Sequence, residues 1–492
     1  MKPGAVSYVL GWFFIFFSGA LLLPGAIAIG FREYSSLWVF GTSAAISSLT
    51  GALLVRYLGE KEDLGHRDGF AIVVFGWLGA SLLGALPYVF SGTMGFIDAF
   101  FESVSGFTTT GSTVLSSIEP LPKSLLFWRS LTQWLGGMGI IILSLAILPV
   151  LGVGGMQLYQ AEMPGPTKDR LAPRIQDTAR ILWGVYIFFT LLETLLLVGG
   201  GLSVYEALCH SFTTMATGGF STRTASVAAF NSAYVDYVIT FFMFVAGINF
   251  TLHYRFLTGR LNAFWRSEEF RFYLWVGLGA TVICTVFTII YGIYDDPLTA
   301  VRFGAFQVWS IMTTTGFGTA DFDLWPPVCK LLLLSLMFLG GCAGSTGGGI
   351  KQIRLVVFLK FMRVQLQRLI HPRAVGTIKI DNHRVDHEVL QGVLGFLALY
   401  MTVFVVASLI VTAQGVDLIT GTSAVIATLN NIGPGLAKVG PTQHFAHLPA
   451  LSKVVLSFCM LAGRLELYTM AVLLSPAYWQ GMRFSRRQRQ ES

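Results

Sequence analysis

The chain has 492 residues, 54% hydrophobic and 12% charged, with a formal net charge of +7 and a mean hydropathy of +0.66. A water-soluble chain carries about 25% charged residues, so this composition excludes a sizeable soluble domain. The basic balance does not point to nucleic acid: 24 of the 33 Lys and Arg sit at Lys2 and in segments 56–67, 168–180, 255–271, 351–384 and 483–489, the pattern of basic loops kept on the cytoplasmic side of a membrane.

From the N-terminus, apolar runs occupy 11–29, 37–55, 70–90, 181–198, 235–246, 275–290, 389–411 and 454–474. They reach or approach the roughly 20 residues that cross a bilayer core as a helix. The first run is long and lacks a clear small-residue cleavage site, so it is expected to remain as a helix. The basic loops place both termini on the cytoplasmic side. Cys209, Cys284, Cys329, Cys342 and Cys459 are scattered without a CxxC pair, which predicts buried thiols rather than a zinc site or a disulfide framework.

Between these runs lie four similar segments: 100–113 (FFESVSGFTTTGST), 207–222 (ALCHSFTTMATGGFST), 305–319 (AFQVWSIMTTTGFGT) and 422–435 (TSAVIATLNNIGPG). Each is a short apolar run that enters a Thr/Asn-rich stretch with a central glycine. Gly111, Gly219, Gly316 and Gly433 recur at spacings of 108, 97 and 117 residues, and a second glycine-containing cluster follows each by 25 to 30 residues. A run of a dozen residues is about 18 Å long as a helix, too short to span. The expected fold is therefore all-α and integral to the membrane: four pseudo-symmetric helix–pore-loop–helix repeats around one pore, plus two N-terminal transmembrane helices. The expected boundaries are 1–58 for the two helices, 68–152, 178–258, 270–372 and 386–478 for the repeats, and 479–492 for a basic tail.

Non-helical backbone at membrane depth survives where it lines a water-filled path or is buried in protein. Thr109, Thr110, Gly111 and Ser112 in the first loop suit rings of peptide oxygens that replace an ion's hydration shell. So do Gly218, Gly219 and Phe220, then Thr315, Gly316 and Phe317, then Asn431, Ile432 and Gly433. The loop cores contain no Asp or Glu, which disfavours magnesium or calcium and favours a monovalent ion. Half-helix C-termini pointing at the centre add partial negative charge. Asp98 and Glu206 near the half-helix starts are expected to cap those helices and to make the mouth negative.

The stretches SGFTTTGST (105–113), QWLGGMGI (133–140), MATGGFST (215–222), GINFTLHY (247–254), TTTGFGTAD (313–321), GCAGSTGGGIK (341–351), HPRAV (371–375) and AGRLE (462–466) together resemble the TrkH family. These are membrane subunits of bacterial Trk potassium uptake systems, within the wider TrkH/TrkG/KtrB/HKT superfamily. The resemblance covers nearly the whole chain. It implies that Gly111, Gly219, Gly316 and Gly433 are the four filter glycines. It also implies that a glycine at 111, where sodium-permeable plant relatives have serine, favours potassium. The fourth loop departs from the others with Pro434, which has no N–H to donate.

Gly340, Gly341, Gly344, Gly347, Gly348 and Gly349 fall within ten residues of the apolar stretch 328–370. Each interior glycine costs a helix about 1 kcal/mol relative to alanine, so this helix is expected to break. The resemblance implies that the segment, with Ser345 and Thr346, is an intramembrane gate loop beneath the filter. Arg464 reads as the only basic residue inside a span, and an intramembrane charge marks a functional site. Two readings stand: it projects into the pore cavity, with Asn249 a polar partner there, or it pairs with Glu466 or Glu193 as a structural bridge.

The expected function is gated potassium uptake across a bacterial inner membrane, with potassium as the transported ion and no cofactor. Coupled symport with protons or sodium is the alternative. Nothing resembling an enzyme's nucleophile–base pair or metal-ligand spacing is present. A homodimer and a cytosolic nucleotide-binding regulator of the TrkA type are implied by the resemblance alone.

Overall fold

The computed structural model describes residues 1–62, 64–139, 175–372 and 376–480. The expected end of the first repeat (140–152), residues 168–174 of a basic segment, residues 373–375 of the HPRAV stretch and the tail 481–492 lie outside the described residues.

The chain is almost entirely helical, and apolar sequence becomes long helix first. α1 (Pro3–Gly30), α2 (Tyr34–Leu53) and α3 (His66–Phe90) follow one another as antiparallel neighbours. Gly11 and Gly51 let α1 and α2 touch, since a Cβ on Gly51 would lie 2.5 Å from the Gly11 carbonyl oxygen. Such small-residue contacts are how helices associate in lipid. The Phe14 ring fills the space left by Gly79 of α3.

Four units of one plan succeed this start. A long helix leads to a short one, a non-helical loop and a return helix, which breaks in the second, third and fourth units. The first unit uses α3, α4 (Phe96–Phe107) and α5 (Lys123–Trp134). The second uses α6 (Ile175–Gly199), α7 (Val204–Met215), α8 (Ala233–Ala246) and α9 (Phe250–Leu257). The third uses α10 (Glu268–Ile290), α11 (Pro297–Met312), α12 (Pro327–Met337) and α13 (Gln352–Ile370). A two-residue hairpin, β1 (Lys379–Ile380) with β2 (His383–Arg384), leads to the fourth: α14 (His387–Thr412), α15 (Leu418–Leu429), α16 (Ala450–Arg464) and α17 (Leu467–Leu474).

Among the described residues, six helices are long and apolar enough to cross a membrane, and two further spans are bent pairs. Large apolar side chains such as Trp38, Leu195 and Leu409 point outward, 64 to 76% exposed, as a lipid-facing belt requires. The expectation of a continuous span over 454–474 is corrected: α16 and α17 meet at 115°, and α8 and α9 at 101°. The cause is close packing at the glycine clusters. A Cβ on Gly463 would stand 2.0 Å from the Leu429 carbonyl oxygen, and one on Gly136 1.9 Å from that of Phe107. The return helices of the first and fourth units therefore press against the ends of their own half-helices, whereas at the α8–α9 bend a Cβ on Gly247 would stand 2.4 Å from the Tyr273 hydroxyl of the third unit.

The half-helices begin with side-chain caps, though not the expected ones. Ser203 accepts the Glu206 N–H, Asp296 those of Leu298 and Thr299, and Asp417 that of Thr420. The first has Gly95 at its cap position without a side-chain bond. Asp98 instead pairs with Lys453 at 2.6 Å, and Glu206 with Arg223 at 2.6 Å. These carboxylates tie the half-helices to neighbouring segments.

Candidate functional site

The four half-helices end in the same way. Thr109, Thr217, Thr314 and Asn431 adopt left-handed φ values of 53°, 54°, 61° and 56°, and the glycine two residues on is left-handed again: Gly111 at 83°, Gly219 at 75°, Gly316 at 82° and Gly433 at 104°. The hydrogen bonds repeat too. The N–H of Thr110 reaches the Ser105 carbonyl, Gly218 that of Thr213, Thr315 that of Ser310, and Ile432 that of Ala427, at 2.8 to 2.9 Å. This is the Schellman closure of a helix C-terminus, made with threonine or asparagine where glycine is usual. Left-handed backbone costs such residues about 1–2 kcal/mol each, a strain the surrounding packing must hold.

The four glycines form a closed ring. A Cβ on Gly111 would lie 2.2 Å from the Gly218 carbonyl oxygen, on Gly219 2.1 Å from that of Thr315, on Gly316 1.9 Å from that of Ile432, and on Gly433 2.7 Å from that of Thr110. Each glycine thus abuts the peptide just before the glycine of the next unit, and the fourth returns to the first. The predicted residues of all four loops are brought together around one axis. Further bonds seal the junction of the fourth loop with the first. Ser112 donates to the Gly433 carbonyl at 3.0 Å, and the Asn431 amide donates to Thr110 Oγ1 at 3.0 Å.

The strand beyond each glycine is held by a side chain that sequence reasoning did not single out. Nine residues before the glycine stand Glu102, His210 and Gln307 in the first three units. Glu102 accepts from Thr113 Oγ1 and the Val114 N–H. His210 Nε2 meets Ser221 Oγ at 2.9 Å. The Gln307 amide oxygen is placed to accept the Thr319 and Ala320 N–H groups. In the fourth unit that position is Ala424, and Ser423 takes over, bonding both the N–H and the carbonyl of Leu436.

Arg129 is a deeply buried basic residue that the sequence does not mark as one. It lies in α5, 1% exposed, with Nε 2.9 Å from Glu102 Oε1 and Nη1 donating to the Ser221 carbonyl at 3.1 Å. Gln133, one turn on, donates to the Gly218 carbonyl and accepts the Phe220 N–H. The return helix of the first unit thereby braces the loop of the second. Removing one partner of a fully buried pair leaves an uncompensated charge, a cost of about 3–5 kcal/mol. On the side where the half-helices start, the Thr224 hydroxyl and N–H hold the Glu119 carboxyl down at about 2, so it remains an anion near neutral pH.

On the opposite side of the ring, residues 340–349 run as a non-helical segment directly against it. The neck closes where the Gly340 N–H donates to the Ile350 carbonyl. The Gly348 N–H donates to Thr314 Oγ1 at 2.7 Å, and a Cβ on Gly348 would meet the Asn430 carbonyl oxygen at 2.4 Å. Thr346 Oγ1 donates to the Met215 and Ala246 carbonyls. The Ser345 hydroxyl turns back onto the Cys342 carbonyl. A Cβ on Gly341 would meet the Gly247 carbonyl oxygen at 3.0 Å, and Gly347 packs near Thr313. Gly344 and Gly349 take left-handed φ values. Gly344 rests against Asn249 and accepts the Phe250 N–H.

Arg464 sits at the end of α16 and donates to the Thr346 carbonyl at 2.7 Å and to the Gly136 and Gly137 carbonyls at 2.6 and 2.5 Å. Among the described residues the alternative pairing is not made: Glu466 pairs with Arg354 at 2.7 Å, and Glu193, fully buried in α6, has no hydrogen-bond partner among them.

Among the described residues, six candidate spans, two bent pairs and a closed ring of loops define a multi-pass membrane protein. The TrkH family, described as a cation transport protein, matches residues 36–485. The chain is 44% identical over 480 residues to the Trk system potassium uptake protein TrkH of Salmonella typhimurium, spanning 97% of this chain and 99% of that one. It is 34% identical over 479 residues to the Trk system potassium uptake protein TrkG of Escherichia coli, spanning 96% and 98%. It matches the crystal structure of the potassium transporter TrkH from Vibrio parahaemolyticus with a TM-score of 0.88 and 38% identity, covering 98% of this chain and 100% of that one. The chain belongs to the TrkH family of cation transport proteins.

Proposed function

We propose that this protein takes up potassium through a gated, potassium-selective pore whose filter is the four-loop ring, residues 109–112, 218–220, 315–317 and 431–433. The observation that carries this reading is the closure of the ring, each glycine against the peptide oxygen of the next loop. Each loop is left-handed at two positions separated by one residue, and rings of peptide oxygens replace the hydration shell of a weakly hydrated ion. Four helix C-termini converge behind them and add partial negative charge. The relatives are named as potassium uptake proteins, which supports the same ion here. Potassium is the cargo, and the reading calls for no cofactor.

Residues 340–349 are the gate in this reading, resting against the inner end of the ring and tied there by Arg464, with Asn249 beside them. The chain is then two N-terminal helices (1–58) and four pore repeats (68–152, 178–258, 270–372 and 386–478) before a basic tail, 479–492. Its basic face is cytoplasmic, with both termini there and the protein in the bacterial inner membrane. A homodimer, and control by a cytosolic nucleotide-binding subunit of the TrkA type, complete the proposal by analogy with Trk systems.

Membrane potential supplies the driving force, about 2.3 kcal/mol per charge per 100 mV, enough for an accumulation of several tens-fold. Proton-coupled symport is a second reading, supported by one observation, the buried Glu193 carboxylate, which has no hydrogen-bond partner among the described residues. Rubidium uptake into liposomes holding the purified protein separates them. The channel reading expects uptake that follows an imposed voltage and is indifferent to a proton gradient. Uptake that requires the proton gradient, and is lost in Glu193→Gln, favours symport.

A further inference from the structure

A cavity of about 970 Å³ opens beside the 340–349 segment, between α9, the start of α10, the β1–β2 hairpin and the start of α14. Two of its lining residues hold that segment. Glu269 Oε1 accepts the N–H groups of Ala343 at 2.7 Å and Ile353 at 3.0 Å, the first just before Gly344 and the second beyond Gly349. Asn249 packs against Gly344. Both anchors, Glu269 and Asn249, are therefore within reach of an occupant of the cavity.

The lining is rich in guanidinium. Arg255, Arg266, Arg271 and Arg384 face it. Its carboxylates are mostly committed: Glu268 pairs with Lys360, Asp381 accepts the Glu268 N–H at 2.8 Å, and Glu269 is bound to two amides. Asp386 is the remaining acid. Among the described residues, Arg266, Arg271 and Arg384 make no ion pair. Alongside, residues 256–265 expose Phe256, Leu257, Leu261 and Trp265 at 42 to 65%. Aromatic and apolar side chains interleaved with arginine mark a membrane interface, and basic pockets between helices at that level bind anionic headgroups.

We propose that this cavity binds the phosphate headgroup of an anionic phospholipid, with its acyl chains against Phe256, Leu257, Leu261 and Trp265, and that occupancy sets how firmly the 340–349 segment is held. The binding half stands on the cavity itself; the regulatory half rests on the reading of that segment as the gate. Phosphate is the recognised chemistry, and a lipid is favoured over a free anion because the arginines adjoin exposed apolar side chains.

The test titrates the detergent-solubilised full chain with phosphatidylglycerol, phosphatidylcholine and inorganic phosphate, following thermal stability. Phosphatidylglycerol is expected to stabilise the protein saturably where the other two do not. The triple variant Arg266→Gln/Arg271→Gln/Arg384→Gln is expected to bind it about a hundredfold more weakly. An equal response to phosphatidylcholine, or undiminished binding by the variant, overturns the site. An equal response to inorganic phosphate overturns the lipid assignment. In liposomes, adding phosphatidylglycerol to phosphatidylcholine is expected to change rubidium flux several-fold for the native chain and not for the variant. Binding without a change in flux overturns the regulatory half, whereas absence of any flux counts against the pore and leaves the binding result standing.

Discussion

Gly316→Ser is expected to reduce the preference for potassium over sodium by about tenfold or more, measured as competing rubidium and sodium fluxes in liposomes. Two causes add. The φ of 82° strains any L side chain, at about 1–2 kcal/mol. The new Cβ would also stand 1.9 Å from the Ile432 carbonyl oxygen, so the third or fourth loop must move by more than an ångström. A ring of peptide oxygens discriminates between ions through its number of ligands and their spacing, and such a movement alters both. The effect should be graded around the ring. Gly433→Ser, whose nearest oxygen is 2.7 Å away, should be milder than Gly316→Ser. Native selectivity in a folded Gly316→Ser protein would remove the filter assignment.

Arg464→Ala is expected to raise basal flux roughly tenfold or more. The guanidinium donates to the Thr346 carbonyl of the proposed gate and to the Gly136 and Gly137 carbonyls. A hydrogen bond to a charged group contributes about 1.5–3 kcal/mol, so losing the Thr346 bond alone shifts a closed–open balance by one to two orders of magnitude. Thr346 keeps its hydroxyl bonds to Met215 and Ala246, which makes the change a loosening of the segment rather than its collapse. Arg464→Lys, with its charge retained but its fork lost, should fall between. Flux at the native level from an Arg464→Ala protein of native thermal stability would remove the latch. Loss of thermal stability without added flux would make Arg464 a structural brace.

The repeat was legible because it rests on small-residue chemistry that recurs in every unit: Gly111, Gly219, Gly316 and Gly433 all close against a neighbouring peptide. The broken helix at 340–349 was legible for a similar reason, six glycines where apolar sequence otherwise continues. What escaped was polar and buried. α5 carries Ser124, Arg129, Ser130, Thr132 and Gln133, all buried, and it gave no apolar run because it is surrounded by protein rather than lipid. Arg129 therefore did not stand out as a membrane-embedded charge. Glu102, His210 and Gln307 share a position nine residues before the glycine but no common chemistry, so only coordinates reveal that they do one job. The bend between α16 and α17 was hidden because both halves are apolar; the cause lies in the approach of Gly463 to Leu429, a tertiary contact. Asp98 and Glu206 read as caps because acids near a helix start commonly are, yet their actual partners, Lys453 and Arg223, come from other segments.

Rubidium scatters anomalously and replaces potassium in oxygen cages, so diffraction from crystals grown in rubidium locates the ion directly. Anomalous density is expected on the axis enclosed by Gly111, Gly219, Gly316 and Gly433, within ligand distance of the peptide oxygens of all four loops. Density confined to other parts of the molecule, with none inside that ring, would contradict the account.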